Sequence, residues 1–400
     1  MIPAFRQAFN AGYAPEKYRR FLAMLDERCG TNIQFRISET PCFVPKPLLD
    51  KMARYGIELT KQLVESKDYR RSSDRTIPPE FNVSNEDTRP MFVQVDFGLV
   101  ADGAGGYEPR LVELQAFPSL YGYQPTVAQT YVDAYALDRR LGIFLSGLDE
   151  SSYWRLLREC IVARHDPKDV VLLEIDPQHQ KTLPDFLVTE RKLGIVTVNI
   201  TELIKRNREL CYRDDRGRER RIQRIYNRCI VDELVRKGTK LPFDLRDELD
   251  VEWAGHPNWY FRISKFSIPH LKHDCVPRTW FLDEVADVNK LPIAREDLLL
   301  KPLYSFAGLG IKFAPTDADL AAIPAAERHD FIVQERLNFA PVIATPHGAT
   351  QMEVRIMYVW PEGGELTPVL PLLRMGRGKM MGVDHNKNLE WVGGSAALWQ

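Results

Sequence analysis

Two β-prone apolar runs joined by Ala-Asp-Gly-Ala-Gly-Gly constrain this chain more than any other stretch. Residues 92–100 read Phe-Val-Gln-Val-Asp-Phe-Gly-Leu-Val, and residues 107–115 read Tyr-Glu-Pro-Arg-Leu-Val-Glu-Leu-Gln. Apolar runs on either side of a glycine-rich turn predict a β-hairpin. Side chains alternate along a strand, so Glu113 and Gln115 point to one face. If the hairpin pairs in register, Asp96 joins them there. Two carboxylates and an amide oxygen on one face suit a hard cation such as Mg²⁺ holding a phosphate. The alternative, from these residues alone, is a two-stranded ribbon with a solvated polar face.

The rest of the chain is long enough to build a core around such a hairpin. It has 400 residues, 44% hydrophobic and 27% charged, which accommodates two or three subdomains. The formal net charge of -1 gives no global field to draw in nucleic acid or an anionic membrane. The six cysteines are scattered with no CxxC spacing, which argues against a zinc knuckle or redox pair and for free thiols in a reducing cytoplasm. The first residues lack the apolar core of a signal peptide, and no run is long enough to span a bilayer. A soluble cytoplasmic protein is the expectation; oligomeric state is not legible.

Apolar spacing predicts helices over residues 14–28 and from Pro47 onward, with Leu48, Met52, Tyr55, Leu59 and Leu63 on one face. Residues 72–89 read as a loop, residues 127–147 as a helix, and Ser151 or Ser152 as the cap of a helix reaching Ala163. The runs at 170–175 and 194–200, with a helical stretch between them, predict buried parallel strands in an α/β unit. An arginine-rich segment follows at 212–228. Interleaved acids favour a solvated hairpin over a nucleic-acid patch. Arg224, Tyr226, Asn227 and Arg228 form a denser cluster that can face an anionic substrate. The predicted organisation is a helical region (1–90), a hairpin unit (91–150), an α/β substrate subdomain (151–255) and a C-terminal unit (256–400).

In that last unit, Leu298-Leu-Leu-Lys301 precedes the turn Ser305-Phe-Ala-Gly308-Leu-Gly310, and a strand-like run follows. A lysine before a glycine-rich turn reaches nucleotide phosphates, and glycines let backbone N–H groups approach them closely. The spacing matches neither a P-loop nor GxGxxG, so a plain hairpin turn with an exposed lysine stays open. Phe331-Ile-Val-Gln334-Glu335 and Glu353-Val-Arg355-Ile-Met-Tyr-Val are further strands. Arg374 and Arg377 follow in a glycine-containing stretch.

Lysine strand, glycine loop, Val-Gln-Glu hinge and Glu-Val-Arg strand, in this order, resemble the ATP-grasp superfamily. The resemblance implies that backbone groups of Glu335 and Leu337, with Gln334 nearby, read the adenine. Ser264-Lys265 resembles the family's first phosphate-lysine segment, so Lys265 and Lys301 would clamp the phosphates beneath the loop Ser305, Gly308 and Gly310. The family's metal hairpin is absent after the Glu-Val-Arg strand. The hairpin at 92–115 resembles it instead, as in the circularly permuted branch that includes glutathionylspermidine synthase. The match spans roughly residues 92–120 and 260–400. It implies a mixed α/β, circularly permuted ATP-grasp fold with an inserted α/β subdomain. It also implies ATP and Mg²⁺ as cofactors, the metal on Asp96, Glu113 and Gln115, and small-molecule acid and amine substrates.

The implied activity is a carboxylate–amine ligase working through an acyl phosphate. Two positions depart from the family: Gln115 replaces an asparagine, and Gln94 replaces an arginine two residues before the metal aspartate. Arg355 or Arg374 would then supply the charge that stabilises the tetrahedral oxyanion. The Gln94 departure keeps open a non-catalytic nucleotide sensor or scaffold. An ATP-dependent phosphotransferase is a third reading.

Overall fold

The computed structural model describes residues 1–304, 309–378, 381, 386 and 388–400. Its centre is a seven-stranded sheet that gathers strands from both ends of the chain. The order runs Cys42–Val44, Gly393–Trp399, Thr367–Gly376, Gly348–Val359, Phe92–Ala101 and Tyr107–Gln115, with Ile343–Thr345 paired to the side of Gly348–Val359. The predicted hairpin forms, and its first strand lies antiparallel to Gly348–Val359, with Asp96 opposite Arg355. Strands far apart in sequence thus become neighbours.

Alternation along these strands sends two sets of side chains to opposite faces. Val93, Val95, Phe97, Val354, Ile356 and Leu373 are fully buried in one core cluster with Leu49, Met52, Leu59 and Leu63 of the helix Lys46–Glu65. Gly56 of that helix lets the Tyr358 ring come close, and the Tyr358 hydroxyl donates to Ala53 O at 3.0 Å. On the other face, Phe92, Met357, Val359, Leu370 and Leu372 pack with Phe21 and Leu25 of Pro15–Cys29 and with Val127 and Tyr131 of Tyr123–Ala134. Burying each such large side chain contributes roughly 1.5–3 kcal/mol. Between the apolar ends of this second face lies a polar patch: Gln94, Asp96, Glu353 and Arg355, all buried.

A four-stranded parallel sheet follows, in the order Glu252–Ala254, Arg224–Asn227, Val170–Glu174 and Val196–Asn199. Val170–Glu174 is buried along its whole length, as its unbroken apolar run requires. The arginine-rich stretch forms the hairpin Glu209–Arg213 and Glu219–Arg221, and Asp214 accepts from the Arg216 and Arg218 N–H groups at its turn. The third layer is an antiparallel sheet ordered Thr279–Phe281, Phe331–Glu335, Leu298–Pro302 and Lys312–Phe313.

Several local expectations change. Residues 127–147 are helical only within Tyr123–Ala134, and Ala136, Ser146 and Gly147 beyond it take positive φ. The helix Glu150–Ile161 is capped by Asp149, whose carboxylate accepts from the Ser152 N–H at 2.7 Å, while Ser152 returns its hydroxyl as acceptor to the Asp149 N–H. Residues 72–89 hold the end of the helix Lys67–Ser73 and two single 3₁₀ turns. All six cysteines are free and buried. Among the described residues no helix is long and apolar enough to cross a membrane.

Candidate functional site

The hairpin pairs Gln94 with Gln115 and Asp96 with Glu113, then slips by one residue so that Phe97 faces Leu111. Val112 is the extra residue of that bulge. It lines a cavity of about 530 Å³ between the central sheet and the antiparallel layer. Leu299, Lys301, Phe313 and Gln334 form one wall, Gln351 and Glu353 the other, and Glu335, Leu337 and Phe339 the edge. That volume is in the range of small-molecule sites. Four predicted nucleotide residues, Lys301, Gln334, Glu335 and Leu337, therefore meet at one cavity.

Gly98 makes room for the cavity's edge. It lies two residues beyond Asp96, on the same face, and a Cβ there would collide with the Phe339 ring. The Ala340 N–H donates to Leu99 O at 2.8 Å, which ties the Phe339 segment to the sheet. Gln351 adds a bond from its side-chain amide to Phe339 O at 3.0 Å.

Lys301 is buried, with Nζ 2.5 Å from Gln334 Oε1. Burial pushes its ammonium down to about 8, a second cation at Lys265 adds to that, and Glu113 and Glu353 oppose it. Lys265 is also lowered by burial, against the pull of Glu113 and Asp232, and its Nζ lies 3.5 Å from Leu303 O. The two lysines thus share the field of Glu113. Gly310 takes φ +75°. Ser305 and Gly308 lie outside the described residues.

Asp96 reaches the expected face, but its neighbour there is a guanidinium. Arg355 donates from Nε to Asp96 Oδ1 at 2.5 Å and from Nη2 to Oδ2 at 2.6 Å, and its Nη1 donates to Gln94 Oε1 at 2.8 Å. Gln94 Nε2 in turn donates to Ser119 O at 2.7 Å. Burial disfavours the Asp96 carboxylate, yet Arg355 and then Arg374 outweigh it and hold the group below its usual range. Arg374 pairs with Glu353. Burial pushes Glu353 up despite Arg374, helped by the charges of Asp96 and Glu113. Glu113 and Gln115 lie side by side, with the Gln115 amide donating to Glu113. The Glu113 side chain is 26% exposed and so stays open to a ligand, whereas that of Asp96 is 2% exposed. Among the described residues no group of three or more His, Cys, Asp or Glu side chains is arranged to hold a metal ion.

Of the two arginines expected to stabilise an oxyanion, Arg355 is 7% exposed with all three nitrogens engaged, and Arg374 is 25% exposed. Arg224 lies away from this cavity, at a separate one beside Arg155, Arg158 and Arg164. It is buried and donates to Ile161 O, Cys160 O and Glu252. Arg228 is likewise buried, against Pro118 O and Asp185. The sequence reading missed Val112, Leu299, Gln351, Glu353 and Phe339 as cavity residues. Gly98, two positions from Asp96, was the one local sign that something packs on that face.

The architecture is a mixed α/β fold of several sheets, and the cavity that holds these residues lies between two of them. No protein-family model matches the chain, and no curated protein matches its sequence. The structure is similar to that of a glutathione synthetase-like effector from Globodera pallida, solved in the apo form. The TM-score is 0.63 at 10% sequence identity, over 99% of this chain and 98% of that one. The likeness runs end to end and defines a shared, glutathione synthetase-like fold.

Proposed function

We propose that this chain is an ATP-dependent carboxylate–amine ligase with its nucleotide in the cleft between the central and antiparallel sheets. The observation that carries the reading is the convergence of Lys301, Gln334, Glu335 and Leu337 on one cavity, with Glu353 opposite. Leu299, Phe313 and Phe339 offer apolar walls to a planar base. Lys301 and Lys265 supply point charges to phosphates. Glu113 and Gln115, partly exposed on the hairpin next to the cleft residue Val112, are oxygen donors of the type that holds Mg²⁺. A bound Mg²⁺ supplies charge neutralisation for a transferring phosphoryl group.

Arg374 is the cation placed to steady an acyl phosphate and the oxyanion formed when an amine attacks it. Gln94 occupies the position where an arginine was expected, but Arg355 brings a guanidinium to that spot from the adjacent strand. The acid is expected to be an amino acid or peptide-like molecule. A nucleotide-binding module without ligase chemistry is the second reading, because Arg355 is committed to Asp96 rather than to the cleft.

A coupled ADP-release screen over amino acids, short peptides and polyamines tests the proposal. A ligase releases ADP and phosphate faster when the right acid and amine are both present. Gain of thermal stability with MgATP and no acceptor-dependent ADP release would establish the binding module instead.

A further inference from the structure

We propose that Arg355 is a built-in countercation that withdraws Asp96 from metal binding, so that any divalent ion in this cleft sits on Glu113 and Gln115 without Asp96. The inference rests on the reading of the cleft as a metal–nucleotide site. The argument is one of donor chemistry. A carboxylate serves a metal through oxygens that face the ion. Both Asp96 oxygens instead accept from one planar guanidinium, at 2.5 and 2.6 Å, in the two-pronged geometry that is the strongest form of this pair. Arg374 Nη1 adds a third donor at 3.5 Å from Oδ2.

The arginine cannot easily leave. Its remaining nitrogen is held by Gln94, and Gln94 is anchored to Ser119 O. Displacing it would strand a charged guanidinium inside the protein, which is strongly disfavoured. A divalent ion on Asp96 would also sit against two arginines. Glu113 is held more loosely: Arg355 Nη2 pairs with its Oε1 only at 3.8 Å, Gln115 donates to that same oxygen, and its side chain is 26% exposed. Gln94 and Asp96 share a face of one strand, and register brings Arg355 opposite Asp96 from the neighbouring strand, which only the assembled sheet does. Arg355 is thus a positioning residue, acting on the site through Asp96.

The test is Mn²⁺ binding to the full chain, followed by the electron paramagnetic resonance of free Mn²⁺, alone and with saturating non-hydrolysable ATP analogue. Asp96→Asn is expected to leave Mn²⁺ affinity within about twofold of wild type, while Glu113→Gln weakens it by roughly tenfold or more, as loss of a direct ligand does. Arg355→Met frees the carboxylate, and is expected to tighten Mn²⁺ binding or add a second ion per chain. The double variant Asp96→Asn/Arg355→Met removes both charges together, avoids a stranded ion, and is expected to keep wild-type Mn²⁺ affinity.

The proposal is overturned if Asp96→Asn and the double variant both lose Mn²⁺ as Glu113→Gln does. It is also overturned if Arg355→Met changes neither affinity nor stoichiometry, or if the wild-type chain takes up no Mn²⁺. Analogue binding is measured separately by calorimetry. A chain that binds Mn²⁺ but no analogue would refute the nucleotide reading, while the comparison of Asp96 with Glu113 would still decide this one.

Discussion

Lys301 Nζ and Gln334 Oε1 meet at 2.5 Å across two paired strands of the antiparallel layer. Lys301 is opposite Ile332 in register, so Gln334 is its diagonal neighbour, near enough for a long side chain. Gln334 Nε2 continues to Thr279 Oγ1 at 3.1 Å. The ammonium is therefore aimed before any ligand arrives.

Lys301→Ala should weaken ATP binding by roughly 10- to 100-fold, the worth of a charge-assisted contact to phosphate. Isothermal titration calorimetry checks it. Unchanged affinity would remove the phosphate role.

The same residue sets a pH dependence. With its ammonium pushed down to about 8, Lys301 is charged below that pH and loses its proton above it. Phosphate binding needs the charged form, so ATP affinity should hold below pH 8 and fall as pH rises through it, by at most about tenfold per unit. Lys301→Arg, which stays charged, should flatten the profile. A wild-type affinity that is level from pH 7 to 9 would contradict the assignment.

Gly98→Val should push the Phe339 ring toward the nucleotide cleft, because any Cβ at this position meets that ring. The expected result is a loss of ATP affinity of roughly tenfold or more, with a stability cost of about 1–3 kcal/mol for the overpacking. Phe339→Ala in the same chain should recover part of the affinity. Titration of a fluorescent nucleotide reports both.

Arg355→Ala should cost about 3–5 kcal/mol, since it leaves the Asp96 carboxylate buried without its cation. Asp96→Asn in the same chain should return much of that. Denaturant unfolding of the four members of the cycle measures the coupling, and simple additivity would mean the pair is not the clamp described.

Arg224→Met should lower stability by about 2–3 kcal/mol through its lost buried hydrogen bonds and leave ATP affinity unchanged. Parallel melting and calorimetry separate the two. A fall in affinity without a fall in stability would restore Arg224 to the substrate site.

The strands, the hairpin and its polar face were legible because they depend on period-two alternation and turn chemistry, which are local. Glu113 and Gln115 share a face by alternation alone, and Asp96 joins them because the hairpin pairs it with Glu113. The helix cap was misread because Asp149, Ser151 and Ser152 fall within four residues at the start of that helix with comparable capping ability. The surroundings of Arg224 were not legible for a different reason. An arginine on a strand looks the same in sequence whether it faces a ligand or a carbonyl, and only the packed carbonyls of Ile161 and Cys160 decide between them.

By itself, the sequence determined that a hairpin with a polar face, a buried-strand α/β unit and a lysine-bearing strand all exist in one chain, since each follows from its own residues. The tertiary structure alone decided what those parts do to one another. It set the hairpin beside the Gly348–Val359 strand, closed a cavity between two sheets, laid Phe339 over Gly98, and gave Asp96 to Arg355. Such pairings depend on which strands become neighbours and in what register. That is fixed by burial of whole faces across the sheet, not by any residue's neighbours in the chain.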